Sequence, residues 1–252
     1  MKNNESADKI NLFGFDSLCT DLQRIDWEKK FIISTLNASA IEWSKTDLVY
    51  KKALQNADIL IPDGVSIKIA ARILLNEKIN KISGQDLFYF MINKLNINNG
   101  SCFFLGSSEF VLNKIKQRLA IEYSNIKSEY YSPPFKNAFS ESDKNEMINK
   151  VNEFSPDVLF VGLSAPKQEK LIYEIGKELN AKVICNIGAV FEIYAGTFKR
   201  PSKFWQFLGL EWLITWIVDP KRLKKKEYKT VLKFFFTLFS EKFKQFKKPK
   251  SS

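Results

Sequence analysis

A carboxylate and a glycine end an apolar run at residues 57–66, which read ADILIPDGVS. An apolar run that stops at Pro-Asp-Gly is typical of a buried strand followed by a tight turn. In open α/β sheets ligands bind beyond the carboxyl ends of the strands, so Asp63 would lie where a general base is useful. The alternative is structural, with Pro-Asp-Gly supplying only turn geometry and Asp63 capping a helix that begins near Val65.

The composition limits which other chemistry is available. The 252-residue chain contains no histidine, which excludes Ser-His-Asp and Cys-His catalysis and most zinc sites. Cys19, Cys102 and Cys185 are far apart and indicate neither a disulfide framework nor a metal site. The Gly-x-Gly-x-x-Gly fingerprint, the Walker loop and an Asp-x-Asp pair are also absent. We therefore expect no cofactor and no bound metal.

Short apolar runs alternate with stretches of helical periodicity up to about residue 200. The predicted strands are 10–15, 31–35, 58–61, 101–105, 157–162 and 182–187. The predicted helices lie near 17–29, 39–56, 65–75, 85–97, 108–122, 141–154 and 166–180. This order predicts an α/β fold, Rossmann-like, with a mostly parallel sheet, helices on both faces and a helical C-terminal appendage.

The polar residues that follow these strands must gather at one edge of such a sheet. Each of four strands is followed by a polar loop, and the loops contain Thr35 and Asn37, Asp63, residues 106–108 and residues 165–168. We expect these loops to line one crevice, with Gly188 and Arg200 closing its side.

The net charge of +11 is concentrated at the C-terminus. Residues 221–252 contain twelve Lys and Arg against two Glu, which leaves the first 220 residues nearly neutral. We predict a catalytic domain at 1–200 and an appendage at 201–252. Its last helix has one apolar stripe, formed by Leu232, Phe235, Phe236, Phe239, Phe243 and Phe246. Lys233, Lys244, Lys247 and Lys248 are predicted on the opposite side.

An aromatic stripe facing lysines suits the headgroup layer of an anionic membrane. The alternative is that the stripe packs on the domain or on a partner subunit, and Phe234 and Leu238, outside the stripe, favour burial for part of the helix. The N-terminus is polar, and no uncharged run reaches the ~18 residues of a spanning helix. We expect a cytoplasmic protein that is peripheral on the inner leaflet of the cell membrane.

Six motifs occur in one order: TLN at 35–37, ADILIPDG at 57–64, GQDL at 84–87, FFLG at 103–106, VGLSAPKQE at 161–169 and GLEW at 209–212. Together they resemble the WecG/TagA/CpsF family of bacterial glycosyltransferases, glycosyltransferase family 26. The resemblance implies a metal-independent, inverting transfer of a sugar from a UDP-sugar to a saccharide on a polyprenyl diphosphate, in the assembly of a surface polysaccharide or teichoic acid.

The resemblance also implies roles for single residues. Asp63 matches the family's general base, Thr35 and Asn37 its substrate-contacting loop, and Gln168 a polar group near the donor. The further substrate-binding candidates are Gly64, Gly106, Lys167, Arg200 and Arg222. The three cations would stabilise the charge of the leaving group, with Lys167 as the weakest candidate and Glu169 either orienting Lys167 or facing water.

Three positions depart from the family pattern. Glu192 replaces the usual Asp, Thr215 stands where Arg is frequent, and Ser107-Ser108-Glu109 replaces a more glycine-rich loop. These changes affect the expected phosphate contacts and the choice of donor sugar.

Two other classes of function stay open. The sequence also leaves the oligomeric state open, and a homo-oligomer is one possibility. A nucleic-acid-binding protein would use the basic tail, but the nearly neutral body argues against it, so nucleic acid is not an expected partner. A non-catalytic membrane adaptor would use the tail without needing Asp63.

Overall fold

The computed structural model describes residues 10–25, 29–202, 204–205, 213–214, 217 and 226–247. Thr215 and Arg222 lie outside the described residues, so the predictions made for them stay predictions.

The described strands form one eight-stranded sheet in the order β1-β2-β4-β3-β8-β7-β5-β6. Their bounds are β1 Ile10–Leu12, β2 Phe15–Leu18, β3 Phe31–Leu36, β4 Ile59–Pro62, β5 Ser101–Gly106, β6 Lys127–Tyr131, β7 Val158–Gly162 and β8 Val183–Asn186. All pairs are parallel except β1 with β2. The predicted α/β class with a mostly parallel sheet is confirmed.

Helices cover both faces of this sheet. Their bounds are α1 Ala38–Ser44, α2 Leu48–Gln55, α3 Val65–Leu75, α4 Gly84–Ile97, α5 Glu109–Glu122, α6 Glu141–Phe154, α7 Lys167–Ile175, α8 Val190–Tyr194 and α9 Lys226–Lys247. One face of the sheet packs against α4, α5 and α8, and the other packs against α1, α2, α3 and α9 at one end and α6 and α7 at the other.

The inner strands are apolar along their whole length because both of their faces are buried. In β7 every residue is buried, with Phe160 facing the α4 side and Leu159 and Val161 facing the α6 side. This continuous burial is typical of parallel strands covered by helices on both sides. It is also the reason why such strands are easily found from sequence.

The N-terminal segment corrects the prediction of a strand at 10–15 followed by a helix at 17–29. It forms the hairpin β1–β2, whose turn residues Phe13 (φ 56°) and Gly14 (φ 79°) both have positive φ, as a tight antiparallel turn requires. Leu18 then pairs with Leu60 of β4, and a short 3-10 helix follows at Leu22–Arg24. The short apolar runs of this segment fit either periodicity, and strand pairing decides between them.

Two further elements differ from their predicted form. The helix predicted at 39–56 is two helices, because Asp47 caps a new helix by accepting a hydrogen bond from the Tyr50 amide at 3.0 Å. Strand β6, with the sequence KSEYY, was not predicted because its polar, partly exposed side chains are those of an edge strand.

Helix α9 packs against the domain through a face that lies outside its aromatic stripe. Phe234 and Leu238 are fully buried among residues of α1, α3 and the β1–β2 hairpin, and the Phe234 ring meets the Phe13 ring edge-on with 5.7 Å between centroids. The Thr237 hydroxyl donates to Glu42 Oε1 of α1 at 2.7 Å. The appendage therefore shares a core with the domain predicted at 1–200, and the boundary at residue 200 stays a prediction.

The aromatic stripe of α9 faces outward. The exposed members are Leu232, Phe236, Phe239 and Phe243. Phe235 is partly buried, and the side chain of Phe246 is not among the described ones. The side opposite the stripe faces the core, which corrects the prediction that Lys233 and Lys244 lie there, whereas the side chain of Lys247 and the whole of Lys248 lie outside the described residues. Lys233 and Lys244 are instead exposed beside the stripe. None of the described helices is both long enough and apolar enough to span a bilayer.

We expect Phe234→Ala to lower the free energy of unfolding by about 3–5 kcal/mol, because it leaves a cavity beneath α9. Phe236 in the same helix is 77% exposed, so Phe236→Ala should change this free energy by about 0.5 kcal/mol or less. Urea denaturation followed by circular dichroism measures both. Equal losses in the two variants would contradict the observed packing of α9.

Candidate active site

A cleft of about 460 Å³ lies at the carboxyl edge of the sheet, beyond the ends of β3, β4, β7 and β8. Five of the predicted site residues line it, namely Thr35, Asn37, Asp63, Gln168 and Arg200. They come from loops separated by up to 165 positions in sequence, and the parallel sheet brings them together.

Asp63 is held in place by an extension of the strand ladder. Its amide donates to the Leu36 carbonyl at 2.9 Å, one residue beyond the last residue of β4. The chain then turns at Gly64, whose φ of 106° and ψ of 149° are accessible almost only to glycine. Gly64, and not Asp63, occupies the N-cap position of α3, so the alternative that Asp63 is the cap of this helix is wrong.

The two residues from the end of β3 have different positions. Thr35 lies in the strand opposite Ile61, while Asn37 ends the strand and caps α1 by accepting a hydrogen bond from the Ala40 amide at 2.9 Å. This cap occupies the Asn37 side-chain oxygen. The NH₂ group of Asn37 has no hydrogen-bond partner among the described residues, and Asn37 lines the same cleft as Asp63.

Gln168 connects α7 to the loop after β8. Its Oε1 accepts a hydrogen bond from the Gly188 amide at 3.0 Å, and its Nε2 donates to Glu169 Oε1 at 2.8 Å. Both side chains are buried. Glu169 thus neither orients Lys167 nor faces water, which corrects both expectations for it.

Arg200 is the cation in the described part of the cleft lining. Its guanidinium donates to Gln85 Oε1 at 2.9 Å, and both residues line the cleft. Gln85 follows Gly84, where a Cβ atom would come within 3.3 Å of the Ile187 carbonyl oxygen. The absence of a side chain at Gly84 therefore allows the start of α4 to approach the loop after β8, and Gln85 with it.

Lys167 and Gly106 do not line the cleft. The Lys167 ammonium lies 3.8 Å from the centre of the Phe139 ring and donates to the Lys136 carbonyl, and partial burial lowers its pKa. Gly106 has a φ of 118°, and a Cβ there would lie 2.8 Å from the Gly162 carbonyl carbon and oxygen. Gly106 thus permits close approach of β5 and β7, and its role in substrate binding stays a prediction.

Two of the departures from the family pattern contact each other. The Ser107 hydroxyl donates to Glu192 Oε1 at 3.1 Å, which joins the loop after β5 to α8. Ser107 has a positive φ of 59°, a conformation that a glycine would adopt more easily. Glu192, whose side chain is longer than that of the usual Asp, therefore contacts Ser107 of the loop that replaces a more glycine-rich one.

Several residues of the lining were not predicted from the sequence, among them Trp43, Ser83 and Phe198. Trp43 lies inside α1 and Phe198 after α8, so neither follows a strand directly. Gln85 belongs to the GQDL motif, which contributes to the family resemblance but was not assigned a role in the site. Within the described ranges no group of three or more His, Cys, Asp or Glu residues is arranged to hold a metal ion.

The family model described as "Glycosyl transferase WecG/TagA/CpsF family" matches residues 9–248 of this chain. The chain belongs to this family. It is therefore a glycosyltransferase, and the family assignment decides against the adaptor and the nucleic-acid-binding protein.

Two bacterial enzymes are distantly similar to this chain in sequence, and the similarity covers most of the length of each. The chain is 27% identical over 201 residues to an N-acetylglucosaminyldiphosphoundecaprenol N-acetyl-beta-D-mannosaminyltransferase of Bacillus subtilis (strain 168), covering 80% of this chain and 77% of that enzyme. It is 24% identical over 225 residues to the enzyme of the same name from Staphylococcus aureus (strain MRSA252), covering 85% and 87%.

We expect Gly64→Ala to abolish most transfer activity, because an alanine strains the turn that fixes Asp63. Backbone strain of this kind costs roughly 1–3 kcal/mol of folding free energy. Gly196 also has a positive φ, of 71°, with nothing within 4 Å of an added Cβ, and so provides a matched control. Gly196→Ala should lose stability yet keep its turnover per folded molecule. Wild-type turnover in Gly64→Ala would show that the geometry of this turn at Asp63 is not needed for transfer.

Proposed function

We propose that this glycosyltransferase moves a sugar from a UDP-sugar to a saccharide carried on a polyprenyl diphosphate, by an inverting and metal-independent reaction, in the assembly of a bacterial cell-surface polymer. The names of the relatives favour an N-acetylmannosaminyl group as the sugar and N-acetylglucosaminyl-diphosphoundecaprenol as the acceptor. The observation that carries the proposal is the position of Asp63 in the cleft, with Thr35, Asn37, Gln168 and Arg200 around it.

Asp63 acts as the general base in this proposal. Its carboxylate takes the proton of the acceptor hydroxyl while that oxygen attacks the anomeric carbon of the donor, and UDP leaves from the opposite face. One such displacement inverts the anomeric centre. The hydrogen bond from the Asp63 amide to the Leu36 carbonyl fixes the backbone from which this side chain enters the cleft lining, and such positioning favours the proton transfer.

The leaving diphosphate needs positive charge beside it. Arg200 is suited to this role because a guanidinium binds phosphate oxygens with paired hydrogen bonds, and Gln85 orients it. Arg222 would supply a second cation from the appendage. Lys167 is less suited, since its ammonium is already engaged with Phe139 and the Lys136 carbonyl.

We expect Asp63→Asn to lower kcat by about 10²–10⁴-fold, since the amide keeps the shape of the side chain but cannot accept the proton. The assay follows transfer from UDP-N-acetylmannosamine to a short-chain polyprenyl diphosphate N-acetylglucosamine by mass spectrometry. Calorimetry should show donor binding close to that of the wild type.

Asp58 provides a matched control at the other end of β4, where its carboxylate accepts a hydrogen bond from the Ile32 amide at 2.8 Å. Asp58→Asn retains an acceptor and should keep wild-type kcat. The same assay in EDTA should give unchanged turnover. A wild-type kcat in Asp63→Asn would show that Asp63 is not the general base. A loss of turnover in EDTA that Mg²⁺ reverses would show that the reaction depends on a metal ion.

The exposed stripe of α9 supports peripheral attachment to an anionic membrane. The exposed part of this stripe is apolar and lies beside Lys233 and Lys244; its members are Leu232, Phe236, Phe239 and Phe243. Apolar side chains enter the interface between headgroups and acyl chains, while lysines contact anionic headgroups. Attachment through this helix would raise the local concentration of a lipid-linked acceptor.

We expect the double variant Phe236→Ser/Phe239→Ser to bind vesicles of phosphatidylglycerol on the order of tenfold or more weakly than the wild type, because burial of each phenyl ring contributes roughly 1.5–3 kcal/mol. Cosedimentation with vesicles measures the binding. Deleting the tail after Pro220 is a less specific change, since it also removes the buried Phe234 and Leu238.

Phe110 and Phe135 are also exposed but lie outside α9, so Phe110→Ser/Phe135→Ser is the matched control and should bind as the wild type does. Equal binding by all three proteins would exclude α9 as the membrane contact. Self-association of the wild type in solution that the Phe236→Ser/Phe239→Ser variant lacks would instead assign the stripe to an interface between copies of the chain.

A further inference from the structure

Among the described residues, Glu169 is a buried carboxyl group without a cationic partner. The residue is 2% exposed, and its Oε2 has no hydrogen-bond partner among the described residues. The adjacent lysines have other contacts, because Lys170 pairs with Asp47 and Lys167 lies over Phe139. Burial accordingly raises the pKa of Glu169.

The buried Glu169 carboxyl group does not stabilise the folded protein. The nearby phenol of Tyr50 is itself buried, and its pKa is raised by burial and by the carboxylates of Glu169 and Asp47. A buried acid that lacks an opposite charge destabilises the folded state when it ionises. The Glu169 side chain accepts a hydrogen bond from Gln168 Nε2, and we therefore expect any role of Glu169 to depend on this contact.

The hydrogen bonds of Gln168 fix which way its amide faces. The Gly188 amide can only donate, so it requires the oxygen end of the Gln168 side chain, at 3.0 Å. Glu169 Oε1 accepts the hydrogen bond from the nitrogen end at 2.8 Å. An NH₂ group carries two hydrogens, and the second has no partner among the described residues, although Gln168 lines the cleft.

We propose that Glu169 is a positioning residue, which orients Gln168 so that the second Nε2 hydrogen is presented to an oxygen of the nucleotide-sugar donor. This inference rests on the proposed function. It assigns Glu169 no contact with the substrate. The carboxyl group acts through Gln168, whose Oε1 accepts a hydrogen bond from the Gly188 amide and so connects α7 to the loop after β8.

We expect Glu169→Met to lower kcat/KM for the donor about tenfold, because methionine fills the space without a strong acceptor and releases the Gln168 amide. Glu169→Gln keeps an acceptor oxygen and should stay within about threefold of the wild type. Since Glu169 acts through Gln168, Gln168→Ala and the double variant Gln168→Ala/Glu169→Met should have the same kcat/KM. Glu174→Gln, on the exposed side of α7 where Glu174 pairs with Lys144 at 2.8 Å, is the control and should not change it.

A second measurement tests the contact without turnover. The side-chain amide signals of Gln168 in the ¹⁵N-labelled full chain are assigned by their loss in Gln168→Ala. Their exchange with solvent should be slow in the wild type and in Glu169→Gln, and at least about tenfold faster in Glu169→Met. Unchanged exchange in Glu169→Met, or unchanged kcat/KM alongside an active wild type, would overturn the role of Glu169. A wild-type chain that transfers no sugar would overturn the proposed function instead, while the exchange rates still decide the contact.

Discussion

The parallel pairing of β4, β3, β8 and β7 is the constraint on which the site depends. Backbone hydrogen bonds fix where each strand stops, and the ladder continues one or two residues beyond the strand ends, where the Asp63 amide donates to Leu36 and the Ile187 and Gly188 amides donate to Val161. The loops that carry the polar side chains thus leave the sheet from fixed points at one edge. A site that is built on rigid strands holds its geometry more closely than one built on loops alone.

The same edge of the sheet contains buried polar side chains that are not required to form the apolar core. Gln168 and Glu169 are buried beside each other, and Asn186 of β8 donates to the Ser34 hydroxyl of β3 at 2.8 Å in an otherwise apolar layer. Within the described residues, Asn186 Oδ1 and Glu169 Oε2 are buried without partners. Unsatisfied buried acceptors reduce stability. Such groups next to a cleft are typical of a site shaped for binding more than for stability.

Helix α9 combines two apolar surfaces. Phe234 and Leu238 close the core over α1 and α3, while Phe236 and Phe239 stay exposed on the outer side. A helix with a single apolar face would serve only one of these purposes. Because Phe234 and Leu238 share this core, the part of the chain that carries most of the net positive charge packs directly on the sheet and helices that form the cleft.

The sequence by itself determined the α/β class, the inner strands and the family resemblance, because continuous apolar runs and ordered motifs are local signals. It also gave Asp63, Thr35, Asn37, Gln168 and Arg200 as residues of one edge, since topology alone brings them there. Only the tertiary structure decided that Gly64 and not Asp63 is the helix cap, that Glu169 is buried against Gln168, and that Lys167 is engaged outside the cleft. It also decided which apolar face of α9 is buried. These outcomes depend on contacts between residues far apart in the chain, and one-dimensional spacing does not encode which of two competing partners a side chain meets.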